Sequence, residues 1–478
     1  MNKQEQTPTG IAEEEWEQTP LSVRKLVLAL CKQVQELIGR VQELEEQNRR
    51  NSRNSSQPPS SDGPGQEKPA VQRAKGGKQG GQQGHPGHRR ELLPVEEVDN
   101  LFKYKPEVCS KCGTELEGED PDPYRYQVTE LPPTKPEVVE HQVHSLECPC
   151  CGHINRGELP AEVAVSQFGP NLVGLMAILM GVYRLSKRQV SRMLEDCFNI
   201  KISASSVVKQ QTAVSAALEE AVEEAEQYVR KQDVRNIDET GWPQAEGGKR
   251  GWLWVVVTPL VTVFRVALSR AGQVAKDLLG KDSNGIVGSD RCSAYNWIPV
   301  ELRQVCWSHL LRDFQKILER GGQSALIGEP LRLLAEDVLH LWGRVRDGTL
   351  PLSDFLIRLP AFQNTVHHWL TEGADCSHPK TAKTCRLLLK IEPALWTFAT
   401  HPHVEPTNNS SERALRSAVI WRAISHGTQS EAGSRFVERI LTVAETCRQQ
   451  RRNPLAYIRQ AVVAHRSGLP FPSLLPVE

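Results

Sequence analysis

The sequence predicts a mixed α/β core split by a helical insertion and preceded by a coiled coil, a zinc-ribbon-like module and a helical region. Three observations carry this. Short β-branched and aromatic runs cluster between residues 234 and 289. Apolar residues at helical spacing dominate on either side of them. Two Cys-x-x-Cys-Gly knuckles stand at 109–113 and 148–152.

Length and composition bound the reading. At 478 residues the chain exceeds what one core usually covers, so three or more modules are expected, and 39% apolar content is enough to bury a large core. No run of eighteen apolar residues occurs, and the polar start MNKQEQTPTG lacks a secretory pattern, so a cytoplasmic protein is expected. The twelve cysteines are scattered except for one cluster, which suits reduced thiols and a metal site rather than a disulfide framework. Net charge is zero but unevenly spread: residues 49–90 carry nine Lys/Arg against two Asp/Glu, and 410–466 carry ten against four. Local basic stretches of this kind can neutralise DNA phosphates, or simply be solvated surface.

The first element, 21–48, reads as a short zipper. Val27, Val34 and Val41 occupy a positions, Leu30, Leu37 and Leu44 d positions, and Asn48 the last a, after Val23. That pattern favours two parallel strands, hence a homodimer or higher oligomer, although few heptads are marginal alone. From 49 to 92 the composition turns to Ser, Pro, Gly, Gln and Lys, which predicts a flexible basic linker.

Residues 100–160 hold the cysteine cluster. Cys109, Cys112, Cys148 and Cys151 are the four expected thiolate ligands of a structural tetrahedral Zn²⁺, each knuckle followed by the glycine its turn needs. Cys150, His141, His144 and His153 are alternative fourth ligands, and a redox pair is the metal-free alternative. Residues 168–232 read as helical, with Ser186 and Ser203 as N-caps. They form either a helix-turn-helix with Arg184, Lys187, Arg188 and Arg192 toward phosphates, or a three-helix packing unit without DNA contact.

The core is expected at 233–320 and 404–435. A strand over 234–238 ends on Asp238, a hairpin covers 249–257 and 261–266, a helix covers 271–279, and a strand over 285–289 leads into Asp290. About 120 residues separate Asp290 from Glu412, more than a compact core needs, so 321–403 is predicted to be a helical insertion. Asn409 is the expected N-cap of a helix that turns Glu412 inward with Leu415 and Val419. Residues 436–478 are expected to form a helical tail. Three acids so placed suit a two-metal phosphodiester site, because hard carboxylate oxygens hold divalent ions. Each has a plainer reading as well, as a turn aspartate or, for Asn409-x-x-Glu412, a capping box.

The segments NSRNSSQPPSSD (51–62), GQQGHPGHRR (81–90), DETGW (238–242), SDRCSAYN (289–296), VCWSHLLRDF (305–314) and NNSSERALR (408–416) resemble the signature blocks of the insertion-sequence-66 transposase family. Many relatives carry Asp where this chain has Thr407. The resemblance implies a DDE transposase with a ribonuclease-H-like core, in which Asp238, Asp290 and Glu412 hold two catalytic Mg²⁺ ions and His309 sits near the scissile phosphate. It further implies transposon-end and target DNA as partners, end recognition by the zinc module, and small accessory proteins. The expected chemistry is two in-line displacements: water frees a 3′-hydroxyl at the element's end, and that hydroxyl attacks target DNA. A non-catalytic DNA-binding regulator and a nuclease that cuts without joining are the competing readings.

Overall fold

The structure, a computed structural model, describes residues 13–49, 51, 55–57, 91–245, 250–281 and 284–476. It comprises two units, residues 64–137 and the remainder of the chain. Most of the expected basic linker, and with it the GQQGHPGHRR block, lies outside the described residues.

The smaller unit contains the first knuckle. There the N–H of Cys109 donates to the Thr114 carbonyl and that of Gly113 to the Cys109 carbonyl, both at 2.9 Å. Gly113 has φ +75°, a turn geometry that disfavours a side chain.

The larger unit opens with α1 (Glu13–Gln18) and α2 (Leu21–Arg49). The zipper stripe of α2 faces open space, with Leu30 50% and Leu37 61% exposed. The second knuckle is the turn of a small antiparallel hairpin, β1 (Ser145–Glu147) with β2 (Ile154–Arg156). It repeats the first: Cys148 N–H donates to His153 O at 2.8 Å, Gly152 N–H to Cys148 O at 2.9 Å, and Gly152 has φ +72°.

Five helices follow: α3 (Ala161–Ala164), α4 (Pro170–Gly181), α5 (Lys187–Phe198), α6 (Ala204–Ala217) and α7 (Glu219–Arg230). Their starts lie where local chemistry predicts. Ser186 and Gln189 form a reciprocal capping box on α5, and Ser203 accepts the Ser206 N–H on α6, satisfying donors the helix itself leaves open.

A five-stranded sheet comes next. Its strands are β3 (Val234–Pro243), β4 (Arg250–Val257), β5 (Thr262–Ala267), β6 (Ile286–Ser289) and β7 (Arg303–Val305), in the order β5-β4-β3-β6-β7. The first three strands form an antiparallel meander, and β3, β6 and β7 run parallel. Helix α8 (Gly272–Leu279) makes the crossover from β5 to β6. One expectation is corrected here: β3 does not end at Asp238. Pairing with β4 continues to Pro243 opposite Arg250, so the aspartate lies within a strand.

Helix α9 (Trp307–Leu318) leaves β7 and leads into a helical stretch of α10 (Gly322–Arg346), α11 (Leu352–Ala374), α12 (Pro379–Lys390) and α13 (Thr397–Thr400). This stretch builds its own core with α9, including Trp307, Phe314, Leu331, Phe355, Leu370 and Trp396. The chain then returns through α14 (Asn409–Ser425), α15 (Glu431–Gln449) and α16 (Pro454–Ser467). The larger core joins the sheet to α4–α7 and to these last helices, through residues such as Val173, Leu194, Val255, Phe264, Phe436 and Ile458. Each such side chain, fully buried, contributes about 1.5–3 kcal/mol.

Helix α15 runs unbroken across the expected division at 435/436, because it closes an edge of the sheet. The N–H groups of Thr262 and Phe264 on edge strand β5 donate to the hydroxyls of Thr446 (3.1 Å) and Thr442 (2.9 Å), and that of Val266 donates to the carboxyl of Glu438. The i, i+4, i+8 spacing on one helix face matches alternate residues of the strand.

Candidate active site

Asp238 and Asp290 approach each other because of strand register. Asn236 pairs in parallel with Gly288, so continuing two residues along both chains sets Asp238 level with Asp290. Gly288 gives the Asn236 side chain room at that pairing, since the amide oxygen of Asn236 lies where a Cβ would sit. Each aspartate ties one oxygen to the backbone, Asp238 Oδ1 to Glu239 N–H and Asp290 Oδ1 to Cys292 N–H, both at 2.8 Å. Arg303, itself buried, bonds the Asp290 carbonyl at 2.8 Å and fixes the loop from below.

Glu412 arrives from the far side of the insertion. Its helix does not begin as expected: the N-cap is Asn408, and Asn409 is the first helical residue. Asn408 makes no side-chain cap. It turns instead to the sheet and donates to the Ile237 carbonyl at 2.8 Å, while its own N–H donates to Cys306 Sγ at 3.2 Å. The capping box that would have given Glu412 a local role is therefore not formed. Its Oε1 has no hydrogen-bond partner among the described residues.

That oxygen lies 3.6 Å from His309 Nδ1 and 3.7 Å from Arg312 Nη2, both on α9. His309 Nδ1 is likewise unpartnered. Cys306, His309 and Glu412 are the one trio of ligand-type residues, among those described, whose donor atoms all lie within 4.8 Å of one another. Asp238 and Asp290 do not join that trio, so Glu412 is turned toward α9. The electrostatic neighbourhood is nonetheless shared. Burial first, then Glu239 and Asp290, and to a smaller degree Glu412, hold the Asp238 carboxyl well above the usual carboxylate range. Burial and then Arg312 hold the His309 imidazole below its ordinary value, and burial pushes the Cys306 thiol up to about 11.

Residues that sequence reasoning passed over complete the surroundings. Glu239, the acid after Asp238, points to the opposite face of β3 and is buried. Its carboxylate accepts from Arg270 Nε at 2.8 Å and from the Tyr295 hydroxyl, and the Arg270 guanidinium lies 4.6 Å over the Trp252 ring. The adjacent acids of DET were the available signal, since strand alternation sends them to opposite faces. Arg291, beside Asp290, pairs with Asp313 at 2.6 Å and so ties the second aspartate's loop to α9.

Comparison with known proteins adds the family context. Residues 166–435 match the Transposase IS66 family, and residues 106–152 match the zinc-finger binding domain of transposase IS66, a span that contains both knuckles. Residues 5–91 match a family of unknown function. Two curated relatives, the uncharacterized proteins y4qI and y4hP of Sinorhizobium fredii (strain NBRC 101917 / NGR234), are 26% identical over 262 residues and 24% identical over 389 residues. The first alignment covers 49% of this chain and 48% of the relative, the second 74% and 69%. Among the described residues no helix is long and apolar enough to cross a membrane.

Proposed function

The chain belongs to the Transposase IS66 family, and from that premise we propose that it cleaves phosphodiester bonds at transposon ends and joins the freed 3′-hydroxyls to target DNA. The observation that carries this reading is the strand register that sets Asp238 level with Asp290, with Glu412 on the helix whose N-cap Asn408 bonds Ile237, the residue before Asp238. Like charges held together out of water are costly unless cations neutralise them. The sheet order β5-β4-β3-β6-β7, with an antiparallel meander beside parallel strands and the acids around the central pair, supports a ribonuclease-H-like core.

Asp238, Asp290 and Glu412 are the residues proposed to hold two Mg²⁺ ions, and the donor set fits: hard oxygens, one on each aspartate left free by the backbone bonds. Bound there, the ions would supply positive charge to the attacking and leaving oxygens of an in-line displacement. The chain's own groups do the rest. Arg312 offers a guanidinium to the phosphate that Glu412 approaches. His309, kept neutral by burial and Arg312, accepts a proton at Nδ1 as the attacking hydroxyl loses it. Buried Arg303, the Arg291–Asp313 pair and the Asn408 bridge hold the loops in register. The oxygen of water or of the 3′-end attacks phosphorus directly, so no bond to the protein forms.

Cys109, Cys112, Cys148 and Cys151 are the proposed structural Zn²⁺ ligands. Each knuckle forms its own turn with the same hydrogen-bond pattern, and a bond from the Thr114 hydroxyl lowers the Cys112 thiol to about 7, toward the thiolate that zinc takes. The exposed stripe of α2 is the proposed seam between copies of the chain.

The test is an assay with donor-end DNA, a target plasmid and Mg²⁺. Joined product is expected from the native chain, and its loss with end binding retained is expected for Asp238→Asn, Asp290→Asn and Glu412→Gln. Cut but unjoined DNA would make the protein a nuclease, and bound but uncut DNA a regulator.

A further inference from the structure

We propose that α5 and α6 form a helix-turn-helix in which α6 enters the major groove of duplex DNA and reads its sequence through Ser205, Val208, Lys209 and Thr212. This inference rests on the transposase reading and assigns part of its DNA recognition to one surface.

The turn is a built one. Helix α5 ends on Asn199 in the left-handed region (φ 55°), whose N–H returns to the Glu195 carbonyl while the N–H of Ile200 returns to that of Leu194. Three residues later Ser203 caps α6. Ile202 is buried between the two helices, and the Ser191 hydroxyl donates to its carbonyl, which clamps the turn to the middle of α5. Val190, Leu194, Val207 and Val214 bury the inner faces against α4 residues such as Val173 and Ala177. A short, pinned connection between two helices supported by a third is the architecture of this DNA-binding motif.

What remains outside selects the partner. Ser205, Val208, Lys209 and Thr212 form one exposed stripe along the first three turns of α6, the half of a reading helix that meets base edges. Hydroxyls can bond either base edge, an ammonium suits guanine O6 and N7, and Val208, 44% exposed, suits a thymine methyl. The chain leading into this stripe is rich in basic residues. Arg184, Lys187, Arg188 and Arg192 surround the start of α5, and Lys201 lies in the turn. The acids of 184–218 are Glu195 and Asp196 alone, in the last turn of α5, away from its basic start. The arrangement divides labour: α5 grips phosphates and α6 discriminates between bases.

The full-length, zinc-loaded chain should be taken through selection on a randomised duplex DNA library. The native chain is expected to enrich one motif. Ser205→Ala/Lys209→Ala/Thr212→Ala should lower affinity for that motif by ~10–100-fold while keeping affinity for random duplex, and Lys209→Gln alone should shift preference at neighbouring base positions. Arg188→Ala/Arg192→Ala should weaken binding to all duplexes alike and reduce the salt slope by about 2. If the α6 variants enrich the native motif with native affinity, the assignment of α6 is wrong, and native DNA joining in the same preparation would leave the transposase reading intact. If the native chain neither binds duplex nor joins ends, both fall together.

Discussion

The side-chain amide of Asn408 donates to the carbonyl of Ile237 across 2.8 Å and 171 residues of sequence. One partner precedes Asp238 and the other is the N-cap of the helix that bears Glu412, so this bond sets the distance between two proposed metal-holding carboxylates. Asn408→Ala is expected to cost about 1–3 kcal/mol in stability, since it leaves a buried carbonyl unpaired. It should reduce strand cleavage by ~10-fold or more while end binding persists, because sub-ångström placement of reacting groups governs the rate. Chemical denaturation and single-turnover cleavage measure the two effects, and unchanged cleavage would show that the bridge only supports the fold.

Glu438 makes stability depend on pH in an unusual direction. Burial, against weaker pull from Arg435 and the Val266 N–H, raises its carboxyl to about 7. The folded state thus holds a proton the unfolded state releases, so its contribution is complete below the unfolded carboxylate pKa of about 4.5 and is lost as pH rises through about 7. The amplitude is on the order of 3 kcal/mol. Glu438→Gln, which keeps the acceptor, should flatten the slope of Tm between pH 5 and 8 and raise Tm at the alkaline end. A parallel pair of profiles would place the charge elsewhere.

The proposed seam on α2 predicts a concentration-dependent assembly. Leu30→Lys with Leu37→Lys puts charges into two successive d positions and should convert dimers or larger species to monomer in sedimentation velocity. An unchanged distribution would locate association on another surface.

Zinc removal should separate recognition from fold. Chelation, or Cys112→Ser with Cys148→Ser, is expected to release or abolish bound zinc in a colorimetric assay and weaken end binding. The thermal transition of the sheet-bearing unit should persist. A native chain purified without zinc, with binding insensitive to chelator, would remove the metal from the reading.

Much of the architecture could be read from local pattern, and the exceptions share one cause. The runs at 250–257 and 262–267 declare themselves by β-branched and aromatic density, and Ser186 and Ser203 cap helices because their chemistry is local. The sequence pattern ends β3 at Asp238, yet β4 pairs with its continuation through Thr240-Gly241-Trp242-Pro243. Cap propensity does not distinguish Asn408 from Asn409; the distant carbonyl of Ile237 decides. Glu239 gains its surroundings from Arg270 and Tyr295, residues brought in by separate crossovers that no periodicity foretells. At the candidate site, the sequence points to Asp238, Asp290 and Glu412 by their order and to His309 by family resemblance, whereas the turn of Glu412 toward α9 depends on the distant packing of α14 against α9.

The threonine and glutamate rungs that α15 lays along β5 bear on how this protein can be cut into pieces. A fragment ending at residue 435, where the family match stops, would lose Glu438, Thr442 and Thr446 together and leave three outward-facing amides along the edge of β5. Such an edge recruits strands from other molecules. Insolubility of that truncation would then reflect a missing lid on the sheet, and extending the fragment beyond Gln449 is the remedy.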